Sequence, residues 1–445
     1  MTASIFQVLL SLAAGIIIII LLTTKFQVHA FFALLIACFI VGLGVQMPFV
    51  GIINSMKEGF GNIMKSLGLI IVLGTTLGVM LEYTGSTRVM ASFILKKTGE
   101  KRASLSMSIT GFIVGLPLFC DSGYIVLSGL NKSLAKRTGI SIVVMSISLA
   151  TGLYSVHCLI PPHPGAAAAA GTIGVDFGKL ILTGIIVAIP AMFVGHWWAS
   201  YAGRKIPIPL SVEREEKESE TIVKKPSVIN AFLPVLVPIL LIALHSILVI
   251  DQKVETSWLK IFSFLGEPVI ALSIGVLLAF NANRNWKKNI VSKLLQESAE
   301  KAGSILVIIG AGGAFGAVLA ATQLGQYFGK SLSLNELGIL FPFLLTFILK
   351  TAQGSSTVAI ITSASIVLPL LPTLGLDSDN GKLLCVLSMG AGSMMISHAN
   401  DAYFWVIAKF SGLEMKTMLK VYSVATLLMG LVTLGMVYIL SLILL

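Results

Sequence analysis

Long apolar stretches without a charged residue recur along the whole chain, at residues 5–23, 30–45, 181–200 and 421–445. Each approaches the roughly 20 residues that a helix needs to cross about 30 Å of hydrocarbon. Backbone polar groups find no water there, so a run of this length crosses with its hydrogen bonds made inside the segment. The pattern predicts an all-α polytopic membrane protein with about 10–12 transmembrane helices. Composition agrees: 56% of residues are hydrophobic and 11% charged, against about 25% charged in a soluble domain. The 42 glycines suit helices that pack backbone to backbone.

The first apolar run reads as a span and not as a cleaved leader, because it has no basic n-region and no small-residue cleavage site. Cys38, Cys120, Cys158 and Cys385 all lie in apolar stretches. They read as small buried hydrophobes, with no disulfide and no metal site expected. The net charge of +11 is spread over short loops between spans. That is the pattern of orientation signals facing a cytoplasm, not of a nucleic-acid surface.

Loop charge sets the expected topology. Residues 204–225 carry Arg204, Lys205, Arg214, Lys217, Lys224, Lys225 and an acidic cluster, and read as a cytoplasmic linker. The division is a first membrane repeat at 1–200, the linker at 201–229 and a second repeat at 230–445. Arg284, Lys287, Lys288, Lys293 and Lys301 form a basic segment on the same side. The intervening loop, 251–267, is nearly balanced and is placed outside. Basic residues flank 104–130 at both ends, and Gly115, Pro117, Asp121 and Gly123 interrupt its middle. A re-entrant hairpin opening to the cytoplasm satisfies both flanks, since broken backbone at depth is tolerated where it lines a cavity or is buried. A matching piece at 337–372, interrupted around 350–356, has flanks poor in positive charge: Lys330 before it, and Asp377, Asp379 and Lys382 after. It is expected to open outside.

These opposed hairpins prompt a search for internal repeats. Gly74-x-x-x-Gly78-x-x-Leu81 resembles Gly312-x-x-x-Gly316-x-x-Leu319 at an offset of 238 residues. Asp121-Ser122-Gly123 pairs with Gly354-Ser355-Ser356 at 233, and His157 with His398 at 241. Duplicated halves of inverted orientation, each with a broken segment, are a secondary-transporter design.

Ionisable groups within hydrocarbon cost at least roughly 2.5–3.5 kcal/mol each and so become candidates for function. Asp121, beside Ser122 and Gly123 at the first break, can carry a proton or cap the second half-helix. At the second break, Gln353, Gly354, Ser355, Ser356 and Thr357 precede an apolar run and read as a half-helix N-terminus. Its N–H groups and positive dipole end suit a carboxylate, and the hydroxyls and amide suit substrate hydroxyls. Lys350 either supplies a full charge to that site or snorkels to the interface. His163, within Pro161-Pro162-His163-Pro164-Gly165, and His398 are candidates for a proton path. Asn400 and Asp401 either meet substrate or proton, or cap the following helix. His29, His196 and His245 read as interfacial, as does Glu82. No Gly-x-x-x-x-Gly-Lys-Ser/Thr occurs, which excludes a P-loop pump within this chain. No catalytic constellation or cofactor motif points to an enzyme. A channel is the other use of broken helices, disfavoured by the paired hairpins.

Pro161-Pro162-His163-Pro164-Gly165, Gln353-Gly354-Ser355-Ser356-Thr357-Val358-Ala359 and Ser397-His398-Ala399-Asn400-Asp401 together resemble the gluconate permease family, whose members include gluconate:proton symporters and D-serine transporters. The resemblance runs end to end. It implies an inner-membrane symporter of the ion-transporter superfamily, often a homodimer, with periplasmic termini and no cofactor. The substrate it implies is a small hydroxylated carboxylate such as gluconate, moved with H⁺. D-serine, another small hydroxy or amino acid, or Na⁺ coupling are the alternatives. Three positions depart from the gluconate pattern. Asp121 follows Phe119-Cys120 where a Glu follows Phe-Tyr, Lys350 stands for Arg, and Gln353, in place of a small residue, looks like the D-serine type.

Overall fold

Two helices too long for a perpendicular span organise the molecule. A computed structural model describes residues 5–206, 226–250, 261, 264–282, 286–322 and 337–445, and all regular structure among them is helical. Helix α3 (Phe49–Tyr83) has 35 residues and α12 (Lys288–Ala321) has 34, about 50 Å each at roughly 1.5 Å per residue. They run against each other along their length. At the crossing, a Cβ on Gly59 would overlap the Gly313 carbonyl, and one on Gly313 would lie 2.6 Å from the Gly59 carbonyl. Only glycine on both sides allows this approach. Outside them, α1 (Ile5–Thr24) and α2 (Ala30–Gly44) form one pair, with α2 against α12. The other pair is α10 (Val228–Ile250) and α11 (Pro268–Asn281), with α11 against α3.

The remaining helices are broken where the sequence cannot continue a helix. Helix α4 (Ser86–Thr98) leads to α5 (Ala103–Gly115), which stops ahead of Pro117, and α6 (Cys120–Thr138) starts anew after residues 116–119. Proline removes an N–H and biases the residue before it away from helix. Helix α7 (Ile142–Leu159) ends at Pro161-Pro162. Pro164 then opens α8 (Pro164–Ile173) at N1, where a missing N–H costs nothing. Helix α9 (Phe177–Gly203) follows, capped by Asp176, whose Oδ1 accepts from Lys179 N at 2.8 Å. Further along, α13 (Leu340–Gln353) and α14 (Ser356–Val367) are parted by Gly354 and Ser355. Helix α15 (Asp379–Met394) gives way to an unwound stretch before α16 (Ala402–Ser411). Helix α17 (Val424–Leu444) closes the chain, led in by Met415–Met418 and a π turn at Leu419–Ser423.

Among the described residues, seven helices are long and apolar enough to cross a membrane. The sequence pattern predicts about 10–12; the unbroken apolar helices α2 and α11 have only 15 and 14 residues, and breaks divide other runs into helices of 10 to 19 residues. Phe6, Ile17, Phe193 and Leu442 point outward from α1, α9 and α17, as side chains solvated by lipid do. Helix α7 is the opposite case: every residue except His157 is buried, as expected of a helix apolar all round. The molecule is a multi-pass membrane protein. Most of the charged linker (207–225), residues 251–260 of the loop placed outside, Arg284 and Lys330 lie outside the described residues.

Candidate functional site

The two unwound breaks of each half touch each other. In the first half, His163 is the N-cap of α8 and is buried. Its Nε2–H donates to the carbonyl of Gly115, the last residue of α5, at 2.7 Å. The ring also packs 5.0 Å from that of His157 and 6.2 Å from Phe119. In the second half, Asn400 Nδ2 donates to Thr351 O at 2.8 Å and to Ala352 O at 3.3 Å. His398 Nε2–H donates to Thr351 O at 3.1 Å. Carbonyls at a helix C-terminus have no partner within the helix, and here the neighbouring break supplies donors.

Ser355 is the N-cap of α14, and its hydroxyl accepts from Val358 N at 3.2 Å. The expected half-helix N-terminus is therefore formed, with Ser356 and Thr357 as its first two residues. Gly354 adopts φ +82°, and a Cβ there would overlap the Asn400 carbonyl. This glycine answers both a backbone and a space requirement. Gln353 ends α13; its amide nitrogen and oxygen are buried without a hydrogen-bond partner.

Lys350 does not snorkel. It is fully buried in the last turn of α13, with Nζ 3.3 Å from Asp401 Oδ2 and donating to Ile396 O at 3.2 Å. Asp401 caps α16, accepting from Tyr403 N at 2.9 Å on Oδ1 and from Ser397 Oγ at 2.5 Å on Oδ2. It also lies within electrostatic reach of Asp121.

Asp121 is the second residue of α6, whose N-cap is Phe119, so its carboxylate is not the side-chain cap. Its Oδ1 accepts from the Cys120 thiol at 3.6 Å. Ser122 is partly buried beside it. Gly123 faces α7, where a Cβ would meet Leu153 at 2.7 Å, so its small size serves packing. Two of the sequence pairings shift register. Asp121-Ser122-Gly123 lies inside α6, whereas Gly354 and Ser355 precede α14; by helix start, Asp121 matches Thr357. His157 lies inside α7 and His398 beyond α15; the residue in the position of Asp401 is His163, each an N-cap.

The halves are joined across these breaks. Helix α8 packs on α14, and α6 on α16. Four tyrosines that no sequence spacing connects fill the junction. Tyr124 shares a short hydroxyl contact with Ser411 and meets the Tyr403 ring at 6.1 Å. Tyr154 stacks on Tyr403 at 5.7 Å and donates to Ser393 O at 3.1 Å, and Tyr422 completes the group. Their only sequence signal is a phenol within an apolar run, which needs a partner once buried. A cavity of about 30 Å³ lies behind the first break, lined by Leu116, Pro117, Pro162, Val235 and Pro238. Its lining is wholly apolar, so it is not where a polar solute would bind. His196 is paired with Ser148 Oγ at 2.9 Å, and His29 caps α2.

The family model described as "GntP family permease" matches residues 7–443. A gluconate permease of Pseudomonas aeruginosa is 35% identical over 98% of this chain and 98% of its own. The D-serine transporter DsdX of Escherichia coli K12 is 31% identical over 97% of each. In three dimensions, the YdaH transporter of Alcanivorax borkumensis superposes with a TM-score of 0.63, covering 88% of this chain and 89% of that one. At 15% identity that likeness concerns the fold alone. With its helical membrane architecture and a match from end to end, the chain belongs to the GntP family of permeases and is a membrane transport protein, not an enzyme.

Proposed function

We propose that the chain is a proton-coupled symporter that takes up a small hydroxylated carboxylate, gluconate or a related sugar acid, across a bacterial inner membrane. The observation that carries this reading is the tip formed by α13 and α14. Ser355, Ser356 and Thr357 stand at a half-helix N-terminus, with Asn400 and Gln353 beside it. An N-terminus buried in a membrane bundle attracts a carboxylate through its N–H groups and dipole, as broken transporter helices do. Hydroxyls and amides then meet the substrate's own hydroxyls. Asp121, at the opposite tip, is the proton acceptor. A proton taken up with the anion leaves the load neutral, which lowers the cost of crossing hydrocarbon.

The order of elements supports two repeats. Ala30 and Pro268 open corresponding helices 238 residues apart, Cys120 and Ser356 at 236, Ile142 and Asp379 at 237, and Pro164 and Ala402 at 238. We read residues 1–200 and 230–445 as inverted halves joined by a cytoplasmic linker. Their re-entrant hairpins enter from opposite sides, and the direction of entry rests on loop charge. Alternating access moves the hairpin-bearing unit, α5 to α9 with α13 to α17, against the scaffold around α3 and α12.

A second reading has its own observation. The unpartnered amide of Gln353 offers both a donor and an acceptor, which suits an amino or hydroxyl group on a small acid, as in the D-serine relative. Two measurements separate these ideas. Labelled gluconate uptake into right-side-out vesicles is expected to fall when the pH gradient is collapsed and to be indifferent to replacing Na⁺ with choline. Uptake that ignores the pH gradient would rule out proton coupling. A thermal-shift series with gluconate, other aldonates, glycerate and D-serine ranks the ligands, because binding raises stability by mass action. An aldonate is expected to give the largest shift; D-serine in first place would replace the first reading with the second.

A further inference from the structure

Lys350 is the one lysine or arginine among the described residues with no solvent exposure. The oxygens around its ammonium both come from the unwound stretch between α15 and α16: Asp401 Oδ2 at 3.3 Å and Ile396 O at 3.2 Å. That stretch is built to hold them. Ile396 takes φ +42°, a left-handed conformation that β-branched residues avoid. Asp401 is pinned by Tyr403 N and Ser397 Oγ. Ser397 is fixed in turn, its N donating to Thr426 Oγ1 at 3.0 Å and its carbonyl accepting from Ser423 Oγ at 2.5 Å. The ammonium sits at the C-terminal end of α13, where the helix dipole also favours a cation.

Unwound backbone carbonyls and helix C-terminal ends at a break are the oxygen ligands with which carriers of this design hold a coupling cation, and here a carboxylate adds the opposite charge. We infer that this break is a monovalent-cation cage occupied by a cation of the chain's own, the Lys350 ammonium, which is therefore a tethered resident ion and not a ligand of the substrate. The first half is closed from within in the same way. His163, the N-cap of α8 as Asp401 is of α16, places its own N–H on the Gly115 carbonyl. A covalently attached ion cannot leave with the substrate, so the stretch between α15 and α16 contributes no exchangeable cation to transport. The assignment goes beyond the proposed function and holds whichever carboxylate is carried.

The test is cation-dependent melting of the purified full-length protein in choline, sodium and n-propylammonium chlorides at equal ionic strength. The unaltered protein is expected to melt at one temperature in all three. Lys350→Ala removes the atoms that propylammonium restores. It is expected to melt several degrees lower in choline and to recover saturably with propylammonium, or with sodium. A folded Lys350→Ala that neither cation stabilises overturns the proposal, as does a saturable sodium stabilisation of the unaltered protein. Should Lys350→Ala not fold, Lys350→Met combined with Asp401→Asn decides. Recovery of a folded, cation-insensitive protein supports a cage defined by paired charges, and a double variant as unfolded as the single one overturns it.

Discussion

Asp401 and Ser355 sit on caps at two helix starts yet carry unlike demands. Asp401 spends one carboxylate oxygen on the backbone of α16 and the other on Lys350 and Ser397. Removing one member of such a buried pair strands the other charge, at roughly 3–5 kcal/mol. Asp401→Ala is therefore expected to lower the melting temperature far more than a surface substitution does. Ser355 uses its hydroxyl on Val358 N, so Ser355→Ala should cost about 1 kcal/mol of stability and also weaken substrate binding. Ser356→Ala should weaken binding alone, a difference that melting with and without gluconate reveals. Asp121→Asn is expected to abolish concentrative uptake while leaving exchange of labelled substrate across the membrane. Accumulation at the ordinary level would remove Asp121 from the coupling. All of these residues could be singled out from the sequence, since polar groups in apolar runs are conspicuous. Whether Lys350 faced the substrate, the lipid interface or Asp401 could not be, because its partner lies 51 positions away and spacing carries no direction for a side chain.

Among the elements, the breaks decide what the helices can do. Pro117, Pro161 and Pro162 deny N–H donors and end α5 and α7, and Gly354 ends α13 in a left-handed turn. Gly354 and Gly139 have similar positive φ, +82° and +69°, but different surroundings. A Cβ at Gly139 meets nothing within 4 Å, whereas one at Gly354 overlaps the Asn400 carbonyl. Gly139→Ala is expected to cost only the left-handed penalty of about 1–2 kcal/mol and to keep uptake. Gly354→Ala should push the Asn400 segment off the tip and lose uptake. Equal uptake by the two variants would mean that the tip tolerates displacement. Prolines and glycines made the existence of the breaks legible, but register within them was not. Similar triplets, Asp121-Ser122-Gly123 and Gly354-Ser355-Ser356, fall in different registers, the first wholly inside α6 and the second straddling the start of α14, a matter settled by which N–H groups find partners.

For the molecule as a whole, the broken helices of one half pack on those of the other, α8 on α14 and α6 on α16. Movement of one tip is therefore expected to be felt at the other. Cys120 is buried next to Asp121. In a background with Cys38, Cys158 and Cys385 changed to Ser, its reaction with a membrane-permeant maleimide is expected to change rate when gluconate is added. A rate that substrate leaves unchanged would argue that the hairpin unit stays rigid during transport. By itself, the sequence determined that this chain lives in a membrane, where its helices break and which polar residues stand at the breaks. These follow from local chemistry: hydrocarbon admits only internally bonded backbone, proline lacks a donor, and a hydroxyl or carboxylate in an apolar run must find company. Only the tertiary structure decided what that company is. The Lys350–Asp401 pair, the His163–Gly115 bond and the contacts of Tyr124 with Tyr403 and of Tyr154 with Tyr403 and Tyr422 join residues from 48 to more than 200 positions apart. Such contacts are set by how helices pack against one another, which no local pattern encodes.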